Sequence, residues 1–195
     1  MASSADQTPP VIVGTILGAI AWVLGYVIFY IITASQIRES GLSLIIELTE
    51  GESAVYELVG WVFFNAHFVD IVYTTFGRAL PASYLGGEEG FTLMLYILPP
   101  ALLLASGLAM GRFHGVTGQY RGAMLGALVA PGYFILCVIG VFLFQVSAVG
   151  STGAPDFLPA VIFAGIIYPA LFGGIGGVIA GLTAPQPAEE PVEGS

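Results

Sequence analysis

The stretch VYELVGWVFFNAHFVDIVYT, residues 55–74, decides how the chain is interpreted. A helix of this length would be about 30 Å long, which matches the hydrocarbon core of a bilayer. Three polar side chains, Asn65, His67 and Asp70, interrupt the otherwise apolar run. Polar groups are costly in hydrocarbon, so the stretch predicts a membrane span that carries a polar site.

His67 and Asp70 are three residues apart and would share one face of such a helix. An isolated ionised carboxylate is very costly to bury, so we expect Asp70 to be paired with His67, protonated, or in contact with a wet cavity. Asn65 lies on another face and would meet a different neighbour. The alternative is that all three residues only stabilise helix packing, because polar side chains in spans often hydrogen-bond neighbouring helices.

The composition indicates an integral membrane protein. Of 195 residues, 56% are hydrophobic and 9% are charged, and the mean hydropathy is +0.91. These values lie outside the range of soluble globular domains. We therefore expect a multi-pass protein of the cell membrane, with the lipid bilayer as its first partner. The single cysteine, Cys137, leaves no disulfide and no cysteine metal site within one chain.

The charge balance is strongly acidic. Thirteen acidic residues face four arginines, and the chain has no lysine. Acidic, lysine-free loops are typical of proteins that stay hydrated in concentrated salt, where charge repulsion is screened. The pattern predicts a halophilic source, and the lack of basic clusters argues against nucleic-acid binding.

Apolar runs predict an all-α fold, a polytopic transmembrane helical bundle of about five spans. Residues 1–184 would form one domain, 185–195 an acidic disordered tail, and 40–54 a short helix in the membrane interface. The predicted spans are 11–34, 55–75, 91–111, 122–146 and 158–182.

Prolines and glycines shape these spans. Pro99, Pro100, Pro131 and Pro169 are expected to kink spans three to five, and the kinks could line a cavity. Repeated Gly-x-x-x-Gly spacings predict close helix packing, with glycine faces left over for a second copy of the chain or another membrane subunit.

Arginine placement predicts the orientation. With five spans, Arg38, Arg112 and Arg121 lie on one side and Arg78 on the other. The positive-inside rule then puts the N-terminus outside and the C-terminus in the cytoplasm. Without the 55–75 span, the arginines divide two against two.

Two motifs carry a family resemblance: WVFFNAHFVD, residues 61–70, and GGEEGF, residues 86–91. With their placement between the first and third apolar runs, they resemble a family of small, uncharacterised multi-span proteins of halophilic archaea, sometimes labelled transporters. The resemblance covers most of residues 11–111. It implies a membrane topology and a halophilic archaeal source, and it names no catalytic residues.

These observations favour a small-solute or proton-linked transporter, with Asn65, His67 and Asp70 as its polar site and His67–Asp70 as a titrating pair. The alternative is a non-catalytic membrane subunit or scaffold in which the same residues only hold helices together. We do not expect an enzyme, because no metalloprotease helix motif and no nucleophile elbow is present. No metal and no cofactor is predicted.

Overall fold

The computed structural model describes residues 10–86 and 91–184. The predicted tail, residues 185–195, lies outside the described residues. The α-helices are α1 Pro10–Arg38, α2 Gly41–Glu50, α3 Val55–Asn65, α4 Leu98–Phe113, α5 Gln119–Ala127, α6 Ala130–Leu143, α7 Phe157–Pro159 and α8 Tyr168–Leu182. The strands are β1 Ile71–Thr75, β2 Arg78–Ala82, β3 Val146–Ala148 and β4 Ser151–Pro155.

Four long helices dominate the structure and are long and apolar enough to cross a membrane. They are α1 and the continuous helical stretches Leu93–Phe113, Gln119–Leu143 and Phe157–Leu182. Predicted spans one, three, four and five correspond to these helices. The fold is therefore mostly helical, as expected, with four such helices in the described residues.

The predicted span 55–75 is wrong. Helix α3 ends at Asn65, a turn follows, and the chain continues as strand β1. Two physical reasons explain the change. Phe68 adopts a left-handed backbone conformation, with φ at 58°, which stops a helix. The following IVYTT run is rich in β-branched and aromatic residues, which favour strands.

A four-stranded antiparallel sheet corrects the all-α prediction. Its strand order is β2-β1-β4-β3, so β1 pairs with both β2 and β4. Ile71 lies opposite Ala82 on one side and Pro155 on the other. Strands β2 and β4 lie between the predicted spans, in short Gly- and Pro-containing runs without a regular pattern.

Each hairpin of the sheet turns on two residues of positive φ. Phe76 and Gly77 join β1 to β2, and Val149 and Gly150 join β3 to β4. Two positive φ values define the type I′ turn, whose twist matches that of the flanking strands. Glycine adopts such a conformation without a steric penalty, whereas Phe76 and Val149 do so at some cost.

The prolines predicted to kink the spans lie just after interruptions of α-helical structure. Pro99 and Pro100 follow a 3-10 segment, Leu93–Ile97, at the start of α4. Pro131 follows the two-residue break between α5 and α6. Pro169 follows an eight-residue π-helical segment, Ala160–Ile167. Proline cannot donate a helical hydrogen bond and is therefore tolerated best in the first turn of a helical segment.

Glycines bring the long helices into backbone contact. A Cβ atom added at Gly177 would overlap the carbonyl oxygen of Gly122, and one added at Gly107 would overlap that of Gly173. The helices α4, α5 and α8 therefore approach more closely than side chains allow. These glycine faces, expected to be left over for a second copy, are used inside the chain.

The remaining elements gather at one end of the bundle. We call residues 41–82 and 146–155 the cap. It contains α2, α3 and the sheet, and α3 packs against α1. The opposite end holds the connection between α4 and α5, where the backbone N–H of Gly118 donates to Gly181.

The beginning of α1 and the end of α8 lie at the same end of the bundle, away from the cap. Helix α1 runs parallel to α5 and α6, because Gly14 and Gly18 contact Leu128 and Val129. Helix α8 runs antiparallel to α5 and ends beside Gly118. The predicted orientation, with the N-terminus outside and the C-terminus in the cytoplasm, stays a prediction.

Backbone contact makes a specific prediction for α8. Replacing Gly177 by alanine should lower the free energy of unfolding by about 2 kcal/mol or more, because overpacking outweighs the helix-propensity gain of about 1 kcal/mol. Gly174→Ala is the matched control on the same helix, since its added Cβ would lie 3.6 Å from the nearest atom, the Ala123 carbonyl oxygen. Melting in detergent measures both variants, and equal melting temperatures would contradict backbone packing at Gly177.

Candidate functional site

Helix α3 is almost completely enclosed. Val59, Phe63 and Phe64 are fully buried, and Trp61 is nearly so. The Trp61 indole N–H donates to the backbone carbonyl of Phe144, at 2.6 Å, just after α6 ends. This apolar helix therefore ends inside the protein, where its last backbone groups have little access to water.

Asn65 closes the turn that follows α3. Its side-chain amide donates to the Val69 carbonyl at 2.7 Å, and its carbonyl oxygen accepts from the Tyr84 backbone N–H at 2.8 Å. The first bond spans the left-handed Phe68 and holds the turn in place. The second ties the turn to the segment that follows the sheet. Both polar ends of the buried Asn65 amide are thus bonded within the chain.

His67 bridges α3 and α6. Its Nδ1 atom lies 2.8 Å from the Phe63 carbonyl oxygen and its Nε2 atom lies 2.7 Å from the Tyr133 hydroxyl. A carbonyl can only accept, so Nδ1 carries the hydrogen and Nε2 is the acceptor. The Tyr133 hydroxyl therefore donates to Nε2. The ring is fully buried and also contacts the Tyr168 ring, with centroids 5.1 Å apart.

This environment keeps His67 neutral. His67 lies in the turn between α3 and β1, outside the four long helices. Burial lowers its pKa to about 4, and the hydrogen bond to the Phe63 carbonyl opposes that shift only in part. A carboxylate beside the ring would have favoured the charged form instead. The predicted titration near neutrality therefore does not fit the site.

Asp70 does not join His67. Its side chain is exposed, and its backbone carbonyl accepts from the Asp156 N–H at 2.9 Å. The expected pairing assumed that the helix continues through both residues, and the turn after Asn65 separates them. The structure thus brings Asn65 and His67 into one buried network and leaves Asp70 outside it.

Sequence reasoning missed the partners of this network. Tyr133 and Tyr168 lie within predicted spans four and five, where a tyrosine cannot be distinguished from the other large apolar residues. A tyrosine buried in an apolar helix needs a partner for its hydroxyl, which was the available signal. The identity of that partner could not be predicted from the sequence, because His67 is 66 residues away from Tyr133.

Two cavities flank Trp61 in the cap. One has a volume of about 420 Å³ and lies between the end of α1, α2, α3 and the residues Ser83, Tyr84, Gly86 and Phe91. The other, about 370 Å³, lies between α2 and the sheet. Neither wall contains a proline, so the predicted kinks do not line these cavities. Pro131 is exposed, whereas Pro99 and Pro169 are buried.

Within residues 10–86 and 91–184, no group of three or more His, Cys, Asp or Glu side chains is placed to hold a metal ion. Cys137 is buried and makes no disulfide.

Comparison with known proteins identifies a family. A model for a family of unknown function, DUF7978, matches residues 1–184. No curated protein and no solved structure matches the chain. The match covers nearly the whole length of the chain, which therefore belongs to this family of unknown function.

Proposed function

We propose that the protein is an integral membrane protein that crosses the bilayer four times. The four long helices have 29, 21, 25 and 26 residues, and about 20 are needed to cross. Their outward faces support the proposal: along α1, for example, Val11, Ile16, Leu24 and Ile31 are exposed. Such a continuous apolar surface is stable in contact with lipid chains and unfavourable in water.

Within that membrane protein we favour the role of a non-catalytic subunit or scaffold. The observation that carries this choice is the hydrogen bonding of Asn65 and His67, whose polar atoms bond to groups of the chain itself. A transporter site needs groups that can bind a solute or exchange a proton. Because His67 is neutral and Asp70 lies apart, these two residues do not form the titrating pair that favoured transport.

Partners of this subunit would be another membrane protein or a second copy of the chain. Glycines on α4, α5 and α8 already contact one another, so an oligomer would form through other surfaces. A halophilic source remains a prediction from the acidic, lysine-free composition, and an archaeal source remains a prediction from the family resemblance.

The first prediction concerns the bond between His67 and Tyr133. Tyr133→Phe should lower the free energy of unfolding by about 1–3 kcal/mol, because it leaves the buried Nε2 acceptor without a donor. His67→Leu should also destabilise, and the double variant should lose less than the sum of the two. Tyr120→Phe is the control, since Tyr120 is 75% exposed. Denaturant titration in mixed micelles measures all four, and strict additivity would contradict the bond.

The second prediction concerns pH. The folded-state pKa of His67 is about 4, below its ordinary value of 6.5, so the unfolded chain binds the extra proton as the pH falls through 6.5. Stability is therefore complete above pH 6.5 and declines toward pH 4, by about 2 kcal/mol between pH 7 and 5.

Melting curves at a series of pH values test this. His67→Leu should remove the His67 contribution to the decline, whereas His114→Gln should keep it, because His114 is the only other histidine and lies in a partly exposed turn. An unchanged pH dependence in His67→Leu would show that other groups cause the decline.

The third prediction separates the subunit from a proton-linked transporter. Liposomes that contain the protein and a trapped pH dye should dissipate a proton gradient no faster than protein-free liposomes. Asp70→Asn should change neither this rate nor the melting temperature, because the Asp70 side chain is exposed and not bonded to His67. A proton flux in the parent protein that disappears in Asp70→Asn would overturn the proposed role.

A further inference from the structure

The larger cavity beside Trp61 has the form of a ligand site. Its volume of about 420 Å³ falls in the range of pockets that hold small molecules, about 300–1,000 Å³. It is walled by three helices, α1, α2 and α3, and by residues next to the sheet. His67 does not line the cavity, whereas the wall residue Tyr84 donates its backbone N–H to Asn65 of the buried network.

The wall is apolar with a few polar groups. The apolar part consists of Ile37, Leu42, Leu58, Trp61, Val62 and Phe91. The polar side chains are those of Gln36, Ser40, Ser83 and Tyr84, and none of the described lining residues is charged.

Two of the polar groups are already engaged. The Ser40 hydroxyl donates to the Ile37 carbonyl and accepts from the Ser43 N–H, and the Ser83 hydroxyl accepts from the Leu85 N–H. Within the described part of the chain, the Gln36 amide and the Tyr84 hydroxyl make no side-chain hydrogen bond. These two groups are therefore the ones placed to meet a polar group of a ligand.

The central wall residue is held rigidly. The Trp61 indole is fixed by its bond to Phe144, lies edge-on to Tyr73 at a centroid distance of 5.5 Å, and stacks with Tyr84 at 6.0 Å. A wall fixed before binding costs a ligand little ordering entropy. The part of the wall formed by Trp61 is thus pre-formed.

We propose that this cavity binds a neutral amphiphile, an aliphatic chain that ends in a hydroxyl or carbonyl group. The chain would pack against Leu58, Trp61 and Val62, and the polar end would bond to Gln36 or Tyr84. A charged end group is disfavoured, because burying a charge without a partner is costly and the described residues of the wall offer none.

The test uses a dodecanol that carries a photoreactive diazirine, added to the full chain in lipid nanodiscs. After illumination, mass spectrometry locates the labelled peptides. Labelling around residues 36–42 and 58–62 should saturate and should be displaced by excess dodecanol but not by dodecanoate at pH 8. Labelling of outward residues of α1 such as Ile16 should rise without saturation, which reports lipid partition only.

Two variants make the test specific. Leu42→Phe, which fills the cavity, should weaken saturable labelling by about tenfold, a free-energy change of about 1.4 kcal/mol. Leu44→Phe is the matched control on the same helix, because Leu44 is exposed and does not line the cavity. If Leu42→Phe melts below the parent protein, Ser83→Phe, from an exposed position of the wall, replaces it.

Unsaturable labelling of the cavity residues, equal labelling of Leu42→Phe and Leu44→Phe, or displacement by dodecanoate as strong as by dodecanol would overturn the proposal. None of these results would affect the subunit role, which is tested by the proton-flux and double-variant experiments.

Discussion

The structure depends on one constraint: every backbone polar group at a helix end inside the protein must form a hydrogen bond. Helix α3 stops among apolar side chains, where its last carbonyls and the turn after it cannot rely on water. Asn65 and His67 meet that need by bonding to Val69 and Phe63. Tyr133 then satisfies the second His67 nitrogen. The polar residues in the apolar stretch are thereby explained by the helix end they support.

Hydropathy and length were enough to find the four long helices, because each is a local property of a continuous segment. They failed over residues 55–75, where the apolar character is the same but the chain reverses. The turn depends on Asn65 bonding four residues ahead, and β1 depends on β4, about 80 residues later. Neither contact leaves a periodic signal. The error propagated to the site, because the His67–Asp70 pair existed only on an uninterrupted helix.

Glycine spacing predicted close packing but could not say which helices meet. The structure assigns those contacts to α4, α5 and α8, where Gly126 and Gly173 face each other. The same limit applies to Trp61. Its sequence context shows a buried aromatic residue, whereas its position between two cavities follows from how α2 and the sheet fold over α3.

The pairing of β1 with β4 also sets an order of events during synthesis. Strand β1 can form its hairpin with β2 at once, but its other edge must wait until residues 76–150 have been made. At roughly 5–20 residues per second this takes ~4–15 s. Throughout that interval one edge of β1 exposes unpaired N–H and C=O groups, which can pair with a wrong strand. Completion of α6 and the β3–β4 hairpin ends this exposure, so the cap becomes whole only when the last long helix is about to begin.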